Sequence, residues 1–400
     1  MEQILTIVCK LTPTQEQVQK IEDTLKAFSD ACIYTNNHVD KKTASKSTIQ
    51  AIVYQDLREK FNLPAQLAVR ACARVGANRK TAKQKGKAVT GFEPTSADYD
   101  ARIFSLNEHN WSVGLTLVDG RQSIGMNIGS YQKGKLKGCK PTSAQLCKHR
   151  DGNYYIHIQV KDVMPDPINS VKVVGVDFGR RDIAVTSEGD SWSGEHLNKK
   201  RDKYNRVRET LQRKATKGKR SGRRSCRNLL KRLSGKERRF QAHVNHVVSK
   251  TIIQKAKDNA AIVAIEDLSG IRERTNSKPR NKTEKRRSNS WSFFELRTFL
   301  EYKGNLAGVE VVAIPPQYTS QTCHECLWIG ERSAKSFKCV NPACGWCTDA
   351  DHNASKVIAV IGAVFVNLPG NPKGLYCELS TDSSGLLKAH TVPGTPGQCG

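Results

Sequence analysis

The apolar positions of the first hundred residues follow two different rhythms. "QILTIVCKL" reads as a strand, and "TPTQ" then supplies a helix start, with Thr12 as N-cap, Pro13 at the first helical position and Gln15 closing a capping box. Val18, Ile21, Leu25 and Phe28 follow at steps of three and four, which predicts one apolar helical face. A second helix fits 47–61 with Ile49, Ile52, Val53 and Leu57 inward. A third runs from Pro64 to about Ala82 and ends in the basic stretch "NRKTAKQKGK".

From about residue 101 to 163 the period becomes two. "WSVGLTLVDGRQSIGMNI" alternates around an Asp119-Gly120 turn, and "QLCKHRDGNYYIHIQV" repeats the device at Asp151-Gly152. These segments predict an antiparallel sheet or small barrel, joined by the N-terminal strand, with the helices inserted between. "MPDPINS" forms a linker, and the buried strand "VKVVGVDFG" opens an α/β pattern. The segment after about Asn367, rich in Gly, Pro, Ser and Thr, is expected to be disordered. A chain of 400 residues accommodates two or three such domains.

Charge sharpens this picture. The formal net charge is +27, and much of it falls in "KKRDKYNRVRETLQRKATKGKRSGRRSCRNLLKRL", where cations far outnumber acids. Pairing within a helix cannot absorb such an excess, so phosphate contact is the expectation and nucleic acid the expected partner. The longest apolar run, "VIAVIGAVFVNL", falls well short of the ~20 residues of a membrane span, and no signal sequence is visible. A prokaryotic cytoplasm or nucleoid is expected, with no membrane partner. Thirteen cysteines, an odd set weighted toward the C-terminal third, do not suggest a secreted disulfide framework.

Two constellations carry chemistry. "VVGVDFGRRDIAV" places Asp177 at the end of a buried strand, and "AAIVAIEDLSG" does the same for Glu266. Asp349 and Asp351 begin the helix "DADHNASKVIAVIGAV". If the fold gathers these acids, their repulsion favours divalent cations, and hard oxygen donors suit Mg²⁺. Two such ions would support phosphodiester hydrolysis. Taken singly, a strand-end Asp is often a turn residue, and Asp349 could cap its helix. The second constellation is "CHEC" (Cys323, Cys326) with "CVNPAC" (Cys339, Cys344), four thiolates of the kind that hold one structural Zn²⁺ tetrahedrally. The second knuckle is stretched, which leaves Cys347 of "CGWC" as an alternative fourth ligand; Gly345 favours Cys344. His324 reads as a loop residue.

Together, "GVDFG", "IEDL", "WSFFELRTFLEYKGNLAGVEV", "PPQYTSQTCHEC", "CGWCTDADHNAS" and the N-terminal "LTPTQEQ" resemble the TnpB (OrfB) family of transposon-encoded proteins, related to type V CRISPR effectors. The resemblance implies a multidomain α+β chain. A wedge-type β-barrel would span 1–12 and 91–165, with a helical recognition unit inserted at 13–90. A RuvC-like, RNase H-type nuclease domain would occupy 166–322 and 348–368, with its basic helical segment at 199–255, a zinc ribbon at 323–347 and a disordered tail at 369–400. It implies a catalytic triad of Asp177, Glu266 and Asp351, two Mg²⁺ ions, a guide RNA from the transposon end, and double-stranded target DNA cut beside a short adjacent motif. A compact type V CRISPR effector and a guide-directed repressor that no longer cuts are the alternatives. A strand-transferring transposase shares the same chemistry, but the Asp–Glu–Asp order and the zinc insertion favour hydrolysis.

Overall fold

The computed structural model describes residues 2–271, 281, 292–367, 376–381 and 387–392. It divides into two compact units, 1–163 and 164–400.

In the first unit β1 (Glu2–Leu11) lies inside a seven-stranded antiparallel sheet with β2 (Ser96–Asp100), β3 (Phe104–Asn107), β4 (Ser112–Leu117), β5 (Gly120–Asn127), β6 (Ser143–Lys148) and β7 (Tyr154–Val163). The order is β2-β6-β7-β1-β5-β4-β3. Register follows the apolar alternation: Ile7 pairs with Ile158 and Cys9 with Ile156, all four buried on one face. No hydrogen-bonded ladder joins β2 to β3 among the described residues, so closure into a barrel is not carried by strand pairing. The two-residue turn before Gly120 works because this glycine adopts φ +100°, a region that costs other residues strain.

Between β1 and β2 the chain inserts α1 (Gln15–His38), α2 (Lys46–Phe61) and α3 (Ala65–Gln84). Ile21, Leu25 and Phe28 are buried as the spacing predicts. Two details differ. The N-cap of α1 is Thr14, whose hydroxyl accepts from the Gln17 amide while the Gln17 side chain returns to the Thr14 amide. Thr12 instead lies just past the end of β1, its amide donating to Gly125 O. Ile52, expected inward, is 55% exposed, because Ile49, Val53 and Leu57 already fill the packed face of α2.

In the second unit, β8 (Val173–Asp177), β11 (Ile262–Glu266) and β12 (Val311–Ile314) run parallel. β9 (Asp182–Thr186) and β10 (Ser191–Ser193) extend the sheet antiparallel, in the order β10-β9-β8-β11-β12. The basic segment forms α5 (Glu195–Lys217), α6 (Arg220–Leu233) and α7 (Lys236–Asp258), after the short α4 (Ser130–Leu136) of the first unit. α6 buries no residue.

One sheet face packs on α7 and α8 (Phe293–Ala307) through Val174, Val176, Val263 and Ile265. The opposite face receives α9 (Ala350–Asn367) through Ala264, Val357, Ile358 and Ile361. Both faces being covered explains why β8 and β11 read as continuous apolar runs. A Cβ on Gly175 would lie 2.0 Å from Ser355 O and 2.4 Å from the Ala359 amide. Only glycine therefore lets α9 cross β8 this closely.

Before α9 come β13 (Glu331–Ser333), β14 (Ser336–Lys338) and β15 (Cys347–Asp349), a small three-stranded sheet. Within 369–400, expected to be disordered, β16 (Tyr376–Thr381) and β17 (Leu387–Val392) form an antiparallel hairpin. The rest of that stretch, and 272–280 and 282–291 of the expected nuclease segment, lie outside the described residues.

Candidate active site and metal centre

Strand parity determines where the acids point. Residues two apart on a strand share a face, so Asp177 follows Gly175 and Glu266 follows Ala264 toward α9. The register that pairs Ile265 with Val176 sets Asp177 and Glu266 side by side where two parallel strands end. Asp351 sits in the first turn of α9, one turn before the Ser355 that crosses Gly175. The three carboxylates are 9%, 8% and 7% exposed.

Burial raises the Asp177 carboxyl well above the usual carboxylate range, and the Glu266 and Asp351 charges push the same way. Glu266 is also raised by burial, against a hydrogen bond that its Oε1 accepts from Thr319. Arg332 Nη2 donates to Asp351 Oδ1 at 2.7 Å, and Lys335 Nζ lies 3.5 Å from Asp351 Oδ2 while also pairing with Asp182. The arrangement gathers negative charge in a poorly solvated place and offsets it only in part. Such a donor set fits hard divalent cations.

Asp349 behaves differently. It is exposed, and its Oδ1 accepts from the Asp351 and His352 amides. It therefore caps α9, where a carboxylate also meets the positive end of the helix dipole.

The cysteine expectation has a clear geometric outcome. Cys323, Cys326, Cys339 and Cys344 place their sulfurs within 4.8 Å of one another, the one group of three or more such ligand atoms that closes this tightly among the described residues. Cys323–Cys344 and Cys326–Cys339 are 3.9 and 3.5 Å apart. A tetrahedron with Zn–S of about 2.3 Å has edges of about 3.8 Å, so the four residues fit zinc. Cys347 is exposed and outside the group. Gly345, at φ +57°, turns the chain after Cys344. Burial pushes the Cys339 thiol up to about 12, so a cation is needed to hold it as thiolate near neutral pH.

His324 is not among the four. Asn353 explains it: fully buried, its Nδ2 donates to Thr322 O at 2.6 Å, and its Oδ1 accepts from the His324 amide at 3.2 Å and lies 3.0 Å from His324 Nδ1. Asn353 thus ties the first cysteine knuckle to the helix that carries Asp351. Thr319, Arg332, Lys335 and Asn353 were not singled out by the sequence. Thr319 and Asn353 lie within the quoted motifs, whereas the two cations come from a hairpin with no distinctive pattern.

A mixed α/β chain with an acidic group at its strand ends and a four-cysteine centre is the class that these features define. Comparison with known proteins narrows it. The OrfB/IS605 family model, described as "Probable transposase", matches residues 155–270, and the model for a Cas12f1-like TNB domain matches 293–358. The TnpB-like protein MJ0751 of Methanocaldococcus jannaschii is 30% identical over 238 residues, 57% of this chain and 82% of that protein. The CRISPR-associated endodeoxyribonuclease Cas12f1 of Sulfoacidibacillus thermotolerans is 35% identical over 135 residues, 33% of this chain and 29% of that longer protein. Among solved structures, a Cas12f1–sgRNA–target DNA complex shares the fold with TM-score 0.57 at 15% identity, covering 86% of this chain and 83% of that one. The chain belongs to the TnpB family, related to the type V effectors. Among the described residues no helix is long and apolar enough to cross a membrane.

Proposed function

We propose that this protein is an RNA-guided DNA endonuclease of the TnpB type, encoded by a transposon, cutting double-stranded DNA next to a short adjacent motif. The observation that carries the reading is the meeting of Asp177, Glu266 and Asp351, three buried carboxylates from separate elements, at the ends of parallel strands. Buried carboxylates that repel one another and are only partly offset by protein cations mark a functional site.

In this reading residues 164–367 include a RuvC-like domain, and 1–163 serve as wedge and recognition elements. Asp177, Glu266 and Asp351 hold two divalent cations, magnesium by donor chemistry; when bound, these supply an activated water and a stabilised leaving oxygen. The carboxylates bind and orient, Thr319 holds Glu266 in place, and the flanking sheet and α9 exclude bulk water. The cations of α5, α6 and α7 take the phosphates of an RNA–DNA hybrid and a displaced strand. The cysteine centre, holding zinc, fixes the knuckle that Asn353 joins to α9 and so keeps Asp351 in position.

A compact type V CRISPR effector is the second reading, favoured by the Cas12f1-like match over 293–358; a neighbouring repeat array distinguishes the two. A repressor that binds without cutting would be expected to have lost an acid, and all three are present. The test is to express the chain with its native flanking DNA, sequence the RNA that copurifies, and present a matched duplex with magnesium. Cutting by wild type, and none by Asp177→Ala, Glu266→Ala or Asp351→Ala at undiminished RNA and DNA binding, is the expected result. A preparation that carries no RNA and ignores DNA would refute the reading.

A further inference from the structure

A cavity of about 480 Å³ opens beside α5, α7 and the start of α8, lined by Arg208, Arg238, Gln241, Ser292, Phe294 and Glu295 among others. Its volume falls within the ~300–1,000 Å³ typical of sites for small ligands. A narrower cleft shares Gln241 and Ser292 with it and reaches Gly179 and Arg180, two and three residues beyond Asp177. That cleft in turn shares Asn198 with a third hollow lined by Lys335, whose Nζ lies 3.5 Å from Asp351 Oδ2, so the cavity is the first of a row of hollows that ends beside one of the acids.

Its composition is unusual for a surface hollow. Phe294 is 68% exposed, while Leu296 and Leu300 of the same helix are buried. Single exposed apolar side chains are ordinary; this one shares its cavity with two guanidinium groups, an amide and two carboxylates. Arg208 Nη2 lies 3.4 Å from Glu237 Oε2, and Glu295 Oε2 accepts from Asn245 Nδ2 at 2.7 Å. These contacts hold a cation and an acceptor in place at the rim of an exposed ring. Aromatic face, phosphate-binding cations and fixed acceptors are the three groups that an unpaired nucleotide presents surfaces to.

We propose that this cavity binds one unpaired nucleotide of the DNA strand that leads to the carboxylates. The base stacks on Phe294, the adjoining phosphate meets Arg238 and Arg208, and the base edge faces Gln241 and Glu295. The choice of DNA over RNA rests on the nuclease reading above, because the row of hollows ends at Lys335, the cation beside Asp351, and hence near the strand that is cut in that reading.

The test is photo-crosslinking with the full chain and its RNA, calcium replacing magnesium to prevent cutting. 5-Iodo-2′-deoxyuridine is placed at successive positions of an unpaired DNA strand, and peptide mass spectrometry locates the adduct. A crosslink to Phe294 from one or two adjacent positions is expected. It should disappear in Phe294→Ala and persist in Phe294→Tyr, with single-stranded DNA affinity about tenfold lower in Phe294→Ala at unchanged RNA content. No adduct at Phe294 from any DNA position, or an adduct only from 5-iodouridine placed in the RNA, overturns the proposal. Because the adduct forms without cleavage, a protein that stacks DNA on Phe294 but never cuts would support the cavity while refuting the nuclease reading. Phe294 is largely exposed, so its replacement leaves the folded core intact.

Discussion

Replacing Asp177 by Asn should stabilise the metal-free protein while destroying its response to metal. Adjacent strands lie ~4.8 Å apart, so two side-by-side carboxylates at a separation of about 5 Å repel by about 3 kcal/mol at an effective dielectric constant of ~20. The Arg332 guanidinium offsets part of this, leaving a gain of about 1–2 kcal/mol for the neutral isostere. At about 2–4 °C per kcal/mol for a domain of this size, Tm should rise by about 2–8 °C in EDTA.

The pH dependence has a definite sign. Asp177 and Glu266 have raised folded-state pKa values, so the native state holds its protons more tightly than the unfolded chain. The favourable contribution is complete below the ordinary carboxylate pKa and is lost as pH rises through the folded values. The advantage of Asp177→Asn should therefore grow as pH rises through the folded values. Saturating magnesium should reverse the order: at a hundred times Kd a bound ion stabilises wild type by about 2.7 kcal/mol, and the variant should gain much less. Thermal melts over a pH series, with EDTA or magnesium, read all of this. A variant less stable than wild type in EDTA at every pH, and stabilised equally by magnesium, would refute the reasoning.

Further outcomes follow from the same geometry. Gly175→Ala drives a methyl into the backbone of α9 and should cost about 1–3 kcal/mol, measured by urea unfolding; an unchanged midpoint would contradict the close crossing. Asn353→Ala removes the tie between knuckle and helix and should destabilise by about 1–3 kcal/mol with zinc content retained but cutting reduced; full activity would show that the tie does not position Asp351. Cys323→Ser with Cys326→Ser should abolish zinc binding by elemental analysis, whereas Cys347→Ser should leave it unchanged; equal zinc in all three would remove the assignment. Because burial holds Cys339 protonated without metal, zinc affinity should fall as pH falls, and a chelator competition that shows no pH dependence would contradict this.

Much of this was legible in the residues because it rests on local periodicity. Ile21, Leu25 and Phe28, the Gly120 turn and the apolar strands ending at Asp177 and Glu266 all obey short-range rules. The cap of α1 shifted to Thr14 because Thr12 is still tied to the sheet, its amide donating to Gly125 O, while Thr14 and Gln17 repeat the same capping-box spacing two residues on. Ile52 faced outward because three neighbours on its helix already filled the contact. The convergence of Asp177 with Asp351 depends on Gly175 admitting α9, a consequence of packing that no local pattern encodes. Arg332 and Lys335 reach Asp351 from a hairpin whose sequence has no signature, and Asn353 acquires its role only once the first cysteine knuckle lies against α9. The hairpin β16–β17 lies in a stretch whose composition pointed to disorder.

The most direct test is the rate at which the RNA-loaded protein cuts a matched duplex, compared between wild type and Glu266→Gln, with magnesium and with EDTA. A carboxylate that holds a catalytic ion contributes several kcal/mol, so the amide should slow cutting about a thousandfold or more while RNA content and DNA affinity stay at wild-type levels, and EDTA should silence both proteins. Equal rates for Glu266→Gln and wild type, or undiminished cutting in EDTA, would contradict the assignment of these acids as the nuclease centre.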